Sequence, residues 1–418
     1  MVVALLVLLL ETIRDTQRNG DFIGYLNAGN LVLQGDNIYR DYLNTWPPFF
    51  SVFSVPLALF DQLSPFSVRL VWLLGSWFAL FVTMRMTVSL FLKRKLLLPF
   101  QKTRQKEDMS FSNPMVLVPF LLCVRFLMDN AGFLQINLFI LALTFGSVLL
   151  YHREKPVWAA ILLGFSIALK VFPIFVLLYF IYKGAYKLSA VAIGVVVLCC
   201  ASTGLVFGWE EALAYHHAWV QNSVIPFPAT SQMNQSLMAA FGRFLSDGST
   251  GIDYTINIAN LDTSLIKKIY YGSVIILAIY PLYLFRKRLA PTDISHSQAM
   301  QWALLFCALP LLSPVAWKPY FVFLWVPLFC IYFLLHSNIK WKWPQGKFWA
   351  KALYYISLPC LILSSELFTG VYFSDVLEVW NIITIGTILL LSSVFVVYLS
   401  ADKHSLQKPI FSLQNQSP

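Results

Sequence analysis

The chain has 418 residues, of which 58% are apolar and only 12% charged, and its formal net charge is +10. Soluble domains carry about 25% charged residues, so the composition excludes an ordinary soluble enzyme and places most of the surface against lipid. The excess of Lys and Arg is not a nucleic-acid signal. It gathers in short loops between apolar runs, at 93–95 (KRK), 286–288 (RKR) and 340–347 (KWKWPQGK), as the positive-inside rule and an anionic leaflet require.

Met1 to Leu10 opens the chain with an apolar run too short to cross a ~30 Å hydrocarbon core, which takes roughly 20 residues. It lacks a basic leader and a small-residue cleavage site, which argues against a signal peptide. A short first span is expected, completed by residues upstream of Met1 or by thinning and tilt. Apolar segments then follow at about 48–61, 66–92, 114–128, 133–151, 156–182, 187–207, 266–285, 299–316, 319–335, 350–368 and 376–400. The runs are continuous rather than alternating with period two, so the expected architecture is an all-α polytopic membrane protein. The six cysteines, Cys123, Cys199, Cys200, Cys307, Cys330 and Cys360, all lie inside apolar runs with no metal-type spacing and read as small hydrophobes. No Walker loop, dinucleotide fingerprint, HExxH or GxSxG motif is present.

Two polar segments, 14–47 and 208–265, are much longer than ordinary connections and carry patterned aromatic residues, which argues for function over disorder. Basic loops at 286–288 and 340–347, with Lys403 and Lys408, point to the cytoplasm, whereas the acidic stretch 369–381 points outside. Alternation from there puts 14–47, 208–265 and 313–320 on the external side. The basic segment 93–113 breaks strict alternation. The parity between residues 61 and 183 stays open, and one resolution is that 48–61 is not a full span.

The first polar segment reads NGDFIGYLNAGNLVLQGDNIYRDYLNTWPPF over 19–49. Helical spacing puts Asp21, Tyr25 and Ala28 on one face and Phe22, Leu26, Gly29 and Leu33 on another. That pattern suits an interfacial helix with its apolar side toward lipid and Asp21 toward protein or water. A solvated carboxylate near a helix amino terminus is the plainer alternative. Residues 34–39 (QGDNIY) offer a turn, and Trp46-Pro47-Pro48 returns the chain to lipid. Further on, Asp129, Asn130, Gln135 and Asn137 interrupt apolar sequence, either for interhelical hydrogen bonding or to line a cavity. Lys170 lies mid-segment, where it must snorkel, pair with an acid or meet a phosphate. His216 and His217 are adjacent, a poor spacing for a metal pair. Asn234-Gln235-Ser236 is either a capping turn or the polar wall of a sugar site. Ser313, Trp317 and Lys318 sit at an external span junction, where an aromatic belt also accounts for Trp317.

Taken in order, DFIGYLNAGNLVLQGDNIY with WPPFF, LQIN (134–137), GFSIALKVFP (164–173), NQSL (234–237) and LLSPVAW (311–317) resemble glycosyltransferase family 87, within the GT-C superfamily. No single motif is specific; the resemblance rests on five in order over nearly the whole chain. LQIN is similar to the family's Gly-Gln-x-Asn, with Leu134 in the glycine position. WKPY (317–320) has Lys318 and Pro319 where members often carry a histidine.

The resemblance implies one integral-membrane domain over 1–418, a GT-C-like bundle of about 11–13 spans. The external loop 14–47 would be catalytic, and the loop 208–265 would hold donor or acceptor. The implied reaction moves a hexose, mannose in the best-known members, from a polyprenyl-phosphate sugar to a glycolipid or glycan outside the cytoplasm. It proceeds with inversion, and Asp21 is the general base. A phosphate leaving group needs positive charge or N–H donors rather than a general acid, and no metal or other cofactor is called for. Tyr25, Asp36, Tyr39, Gln135, Asn137, Lys170, Asn234, Gln235, Ser236, Trp317 and Lys318 are the candidate substrate-binding residues. The implied partners are that donor, the acceptor and the bilayer of the cell membrane, without nucleic acid. The competing reading is a polytopic transporter or lipid-linked glycan flippase, which also accommodates an intramembrane lysine.

Overall fold

The structure is a computed structural model that describes residues 10–40, 44–98, 101, 108–224, 226–286, 294–337, 339–407 and 410. The apolar run expected at 1–13 therefore lies mostly outside the described residues, as do Arg288 and Lys408. The described chain is helical nearly throughout; its one sheet pairs Lys95–Leu96 with Asp108–Met109 in parallel. Among the described residues, six helices are long and apolar enough to cross a membrane, or up to seven when one bent pair counts as a single span. It is an all-α polytopic membrane protein.

The helices begin where the chemistry of their first turns predicts. Pro48, Pro65, Pro114, Pro156 and Pro344 each open one, because proline's fixed φ suits the first helical position and its missing N–H would go unpaired there anyway. The expected apolar segments map onto helices, but several are shorter or broken. The 156–182 run is two helices, Pro156–Leu169 and Ile174–Tyr182, parted at Lys170 to Pro173. Pro48–Leu63 and Asn137–His152 have 16 residues each. The stretch 369–381, expected as a loop, lies largely in the helix Glu366–Val379, which meets Pro344–Ile362 at an 87° bend.

The contacts divide the chain into two compact units. The first comprises residues 1–86 and 127–226. Here Phe22–Gln34 packs on Pro48–Leu63, while Pro156–Leu169 packs on both Asn137–His152 and Tyr186–Phe207. Glycine sets the first of these contacts. A Cβ on Gly29 would lie 2.5 Å from the Ser54 carbonyl oxygen, so any side chain would push the two helices apart. This corrects the expectation of an apolar face turned to lipid. Phe22, Leu26 and Gly29 are buried inside the unit, and only Leu33 of that set is exposed. Around them Phe22, Tyr25, Trp46, Phe50 and Trp72 form one aromatic cluster with ring centroids 4.9–6.0 Å apart, the spacing of favourable edge contacts.

The second unit comprises residues 87–126 and 227–418. Here Pro344–Ile362 packs along Ile382–Ser400, while His296–Leu312 and Trp325–His336, which pack on each other and on Ile382–Ser400, are the most buried helices. Ser295 and Gln298 close a capping box at the start of His296–Leu312, satisfying backbone N–H groups that would otherwise be orphaned. Trp325 is fully buried and donates to Thr87 Oγ1 at 3.0 Å.

Candidate functional site

Asp21 stands at the amino end of Phe22–Gln34, yet its carboxylate does not cap that helix. It turns instead to Gln135, whose Nε2 donates to Oδ2. The plainer alternative, a solvated acid at a helix start, is therefore not what forms, although the dipole of that helix still favours a negative charge there. Backbone contacts fix the position. Asp21 N–H donates to the Phe133 carbonyl at 3.0 Å. Gly20, at φ 47°, approaches so closely that a Cβ would sit 2.5 Å from that same oxygen. A left-handed residue with no side chain is what this junction needs.

The turn carrying Gln135 is shaped by Leu134, whose φ of 50° lies in the left-handed region. A glycine would adopt that conformation without strain. Leu134 is fully buried, and its carbonyl accepts from Trp72 Nε1 at 2.9 Å. Asn130 Nδ2 donates to the Gln135 carbonyl at 3.2 Å. Gln135 Oε1 accepts from Tyr25 Oη–H and from Asn137 Nδ2, both at 3.3 Å. Tyr25 Oη in turn accepts from Ile136 N–H at 3.3 Å. Lys170 Nζ donates to Asn137 Oδ1 at 2.7 Å. Five expected residues, Asp21, Tyr25, Gln135, Asn137 and Lys170, thus form one connected polar cluster. Burial raises the Asp21 carboxyl above its ordinary value, and the positive charge of Lys170 opposes that rise.

The other candidates of this unit lie elsewhere in the first loop. Asp36 pairs with Arg40 at 2.9 Å with both side chains well exposed. Tyr39 donates to the Trp46 carbonyl at 2.7 Å and packs edge-on against Tyr215. Neither joins the Asp21 cluster through a hydrogen bond. His216 bonds Thr203 Oγ1 at 3.4 Å. Among the described residues no three His, Cys, Asp or Glu side chains gather as a metal site would need.

In the second unit Asn234, Gln235 and Ser236 are fully buried. Ser236 caps Leu237–Leu245 through Ala239 N–H and donates to the Pro314 carbonyl at 2.9 Å. Asn234 Oδ1 accepts from Ser236 N–H and from Ala316 N–H at 3.1 and 3.0 Å, and its Nδ2 donates to Ala229 and Pro314 carbonyls. Gln235 Nε2 donates to the carbonyls of Gln232 and Glu378. Of the two readings of NQS, the capping turn is the one that forms. Its polar groups hold the 313–316 segment. Trp317 is half-buried, and Lys318 Nζ pairs with Glu378 Oε1 at 2.7 Å.

Glu378 and Arg125 are the residues sequence reasoning missed. Glu378 is fully buried, its Oε1 meets Arg125 at 3.1 Å as well as Lys318, and its Oε2 accepts no hydrogen bond. Arg125 also donates to Ser364 and to the Leu361 carbonyl. The signal was available: an arginine inside an apolar helix demands a counter-charge.

These features define a multi-pass helical membrane protein whose first unit holds a half-buried, hydrogen-bonded carboxylate. The family comparison makes the class specific. The model of glycosyltransferase family 87 matches residues 44–314, and the chain belongs to that family; it is a glycosyltransferase. No curated protein and no solved structure matches it. Membership sets aside the transporter reading. Gln135, Asn137, Lys170 and the 234–236 turn fall inside the matched stretch, whereas Asp21 and Tyr25 precede it and Trp317 and Lys318 follow it.

Proposed function

We propose that the chain transfers a hexose, mannose by family resemblance, from a polyprenyl-phosphate sugar to a glycolipid or glycan acceptor on the extracytoplasmic face of the cell membrane. Asp21 is the general base. The acceptor hydroxyl gives its proton to Asp21 as its oxygen bonds to the anomeric carbon. The bond from that carbon to the phosphate oxygen breaks, and its electron pair leaves with the phosphate. Attack opposite the leaving group inverts the anomeric configuration.

The observation that supports this reading is the state of the Asp21 carboxylate. Oδ2 is fixed by Gln135, while Oδ1 accepts no hydrogen bond from any described residue. A base needs one held oxygen and one available within hydrogen-bond reach of the hydroxyl. Burial raises its proton affinity toward the working pH, as efficient proton transfer asks. The test is transfer by purified protein from a mannosyl polyprenyl phosphate to extracted membrane glycolipids, with the product linkage read by NMR. A product with inverted anomeric configuration is expected. Retained configuration, or transfer only from a nucleotide sugar, overturns the proposal.

A further inference from the structure

The cluster behind Asp21 has a direction. Lys170 Nζ donates to Asn137 Oδ1, Asn137 Nδ2 donates to Gln135 Oε1, and Gln135 Nε2 donates to Asp21 Oδ2. A side-chain amide can join a cation to an anion in one orientation only, oxygen toward the ammonium and nitrogen toward the carboxylate. Both amides here have that orientation. Flipping Asn137 would set its NH₂ against the lysine ammonium, so the charge on Lys170 fixes the first amide, and the first amide together with Tyr25 Oη–H fixes the second. Lys170, Asn137 and Gln135 are 7%, 0% and 2% exposed, so water does not substitute for a missing member.

We propose that Lys170 is a positioning residue for Asp21: acting through Asn137 and Gln135, it holds Oδ2 and so leaves Oδ1 for the acceptor hydroxyl. The proposal rests on the reading of Asp21 as the base. In the step above, the acceptor O–H bond breaks and its proton goes to Oδ1. Lys170 touches neither reacting sugar nor phosphate.

Other charged groups on neighbouring elements have partners of their own or lie off this chain. Asp15 pairs with Arg14 and Arg18, Arg14 with Glu11, and Arg69 with Asp61 at 2.7 Å. Asp129 lies one turn before the end of Pro114–Gly132. The variants leave all of them in place.

The experiment is the pH dependence of kcat and KM for the full chain in lipid nanodiscs, with mannosyl polyprenyl phosphate as the donor. Lys170→Met is expected to lower kcat by about ten- to a hundredfold, the effect of losing one hydrogen bond to a charged group. It should leave the donor KM within about twofold and move the acid limb to higher pH. Asn137→Leu keeps the lysine but cuts the chain, and is expected to lower kcat and move the limb in the same direction. Limb positions do not depend on the fraction of folded protein. A raised donor KM with an unmoved limb in Lys170→Met overturns the proposal and makes Lys170 a phosphate contact. An unmoved limb in Asn137→Leu also overturns it. Asp21→Asn run alongside separates the two levels. Near wild-type transfer by that variant sinks the base itself, whereas the other two failures leave the base standing.

Discussion

Glu378→Gln removes one negative charge from between two cations and changes the side chain's shape very little. In the native protein Glu378 Oε1 lies 2.7 Å from Lys318 Nζ and 3.1 Å from Arg125 Nη2. The carboxylate is 1% exposed, and the cations are 16% and 9% exposed. Water therefore cannot take over the lost interaction. Breaking a buried ion pair by removing one partner costs about 3–5 kcal/mol, because a charge stays behind uncompensated. The surrounding unit, residues 87–126 and 227–418, holds roughly 230 residues. At about 2.1 cal/mol/K per residue its unfolding entropy is about 0.5 kcal/mol/K, so Tm should fall by about 6–10 °C. Differential scanning fluorimetry in detergent reads this directly. Lys318→Met should cost less, since Arg125 keeps its counter-ion, and adding it to Glu378→Gln should recover part of the loss. A Glu378→Gln protein melting within about 1 °C of the parent would refute the view that Lys318 serves as a structural counter-charge.

Further expectations concern the Asp21 junction. Tyr25→Phe keeps the aromatic packing but strips the acceptor from Ile136 N–H, a loss of about 1–3 kcal/mol in stability measurable by the same melting assay. Leu134→Gly relieves a left-handed strain of about 1–2 kcal/mol but gives up a fully buried side chain worth about 2–5 kcal/mol; net destabilisation is expected. Gly20→Ala forces a Cβ onto the Phe133 carbonyl and should lower kcat far more than a surface Gly→Ala change, through displacement of Asp21. In the wild type, activity should fall on the acid side. A base raised by burial loses its charge at a pH above the usual aspartate value of about 3.9, and transfer is retained above that limb.

Class and fold were legible because lipid imposes a simple code. Long apolar runs between basic loops mean helices, and the structure has them. What hydropathy does not carry is which apolar face meets lipid and which meets protein. The Phe22 and Leu26 face went to the protein because Gly29 lets two backbones approach, and only a three-dimensional partner reveals that. Breaks were equally hard to place. Lys170 ends one helix of the 156–182 run with an extended backbone, which periodicity within each half does not announce. In the site, the sequence named the members of the Asp21 cluster but not their order, since Gln135 and Asp21 lie far apart in the chain and meet only once Asp21 N–H docks on the Phe133 carbonyl and Leu134 turns the chain. The 234–236 side chains are polar and clustered, and the sequence does not tell that most of their hydrogen bonds go to backbone. Glu378 was overlooked because an acid in a short connection looks solvated until the helix around it is seen to bury it.

The most direct test of the account is the rate of sugar transfer by purified Asp21→Asn protein from a mannosyl polyprenyl phosphate donor. Asparagine keeps the shape but cannot take the proton. Loss of general-base catalysis predicts a fall of about 10²–10⁴-fold in kcat, with donor binding and melting temperature close to those of the parent. Transfer at near wild-type rate would contradict the central claim that Asp21 accepts the acceptor's proton.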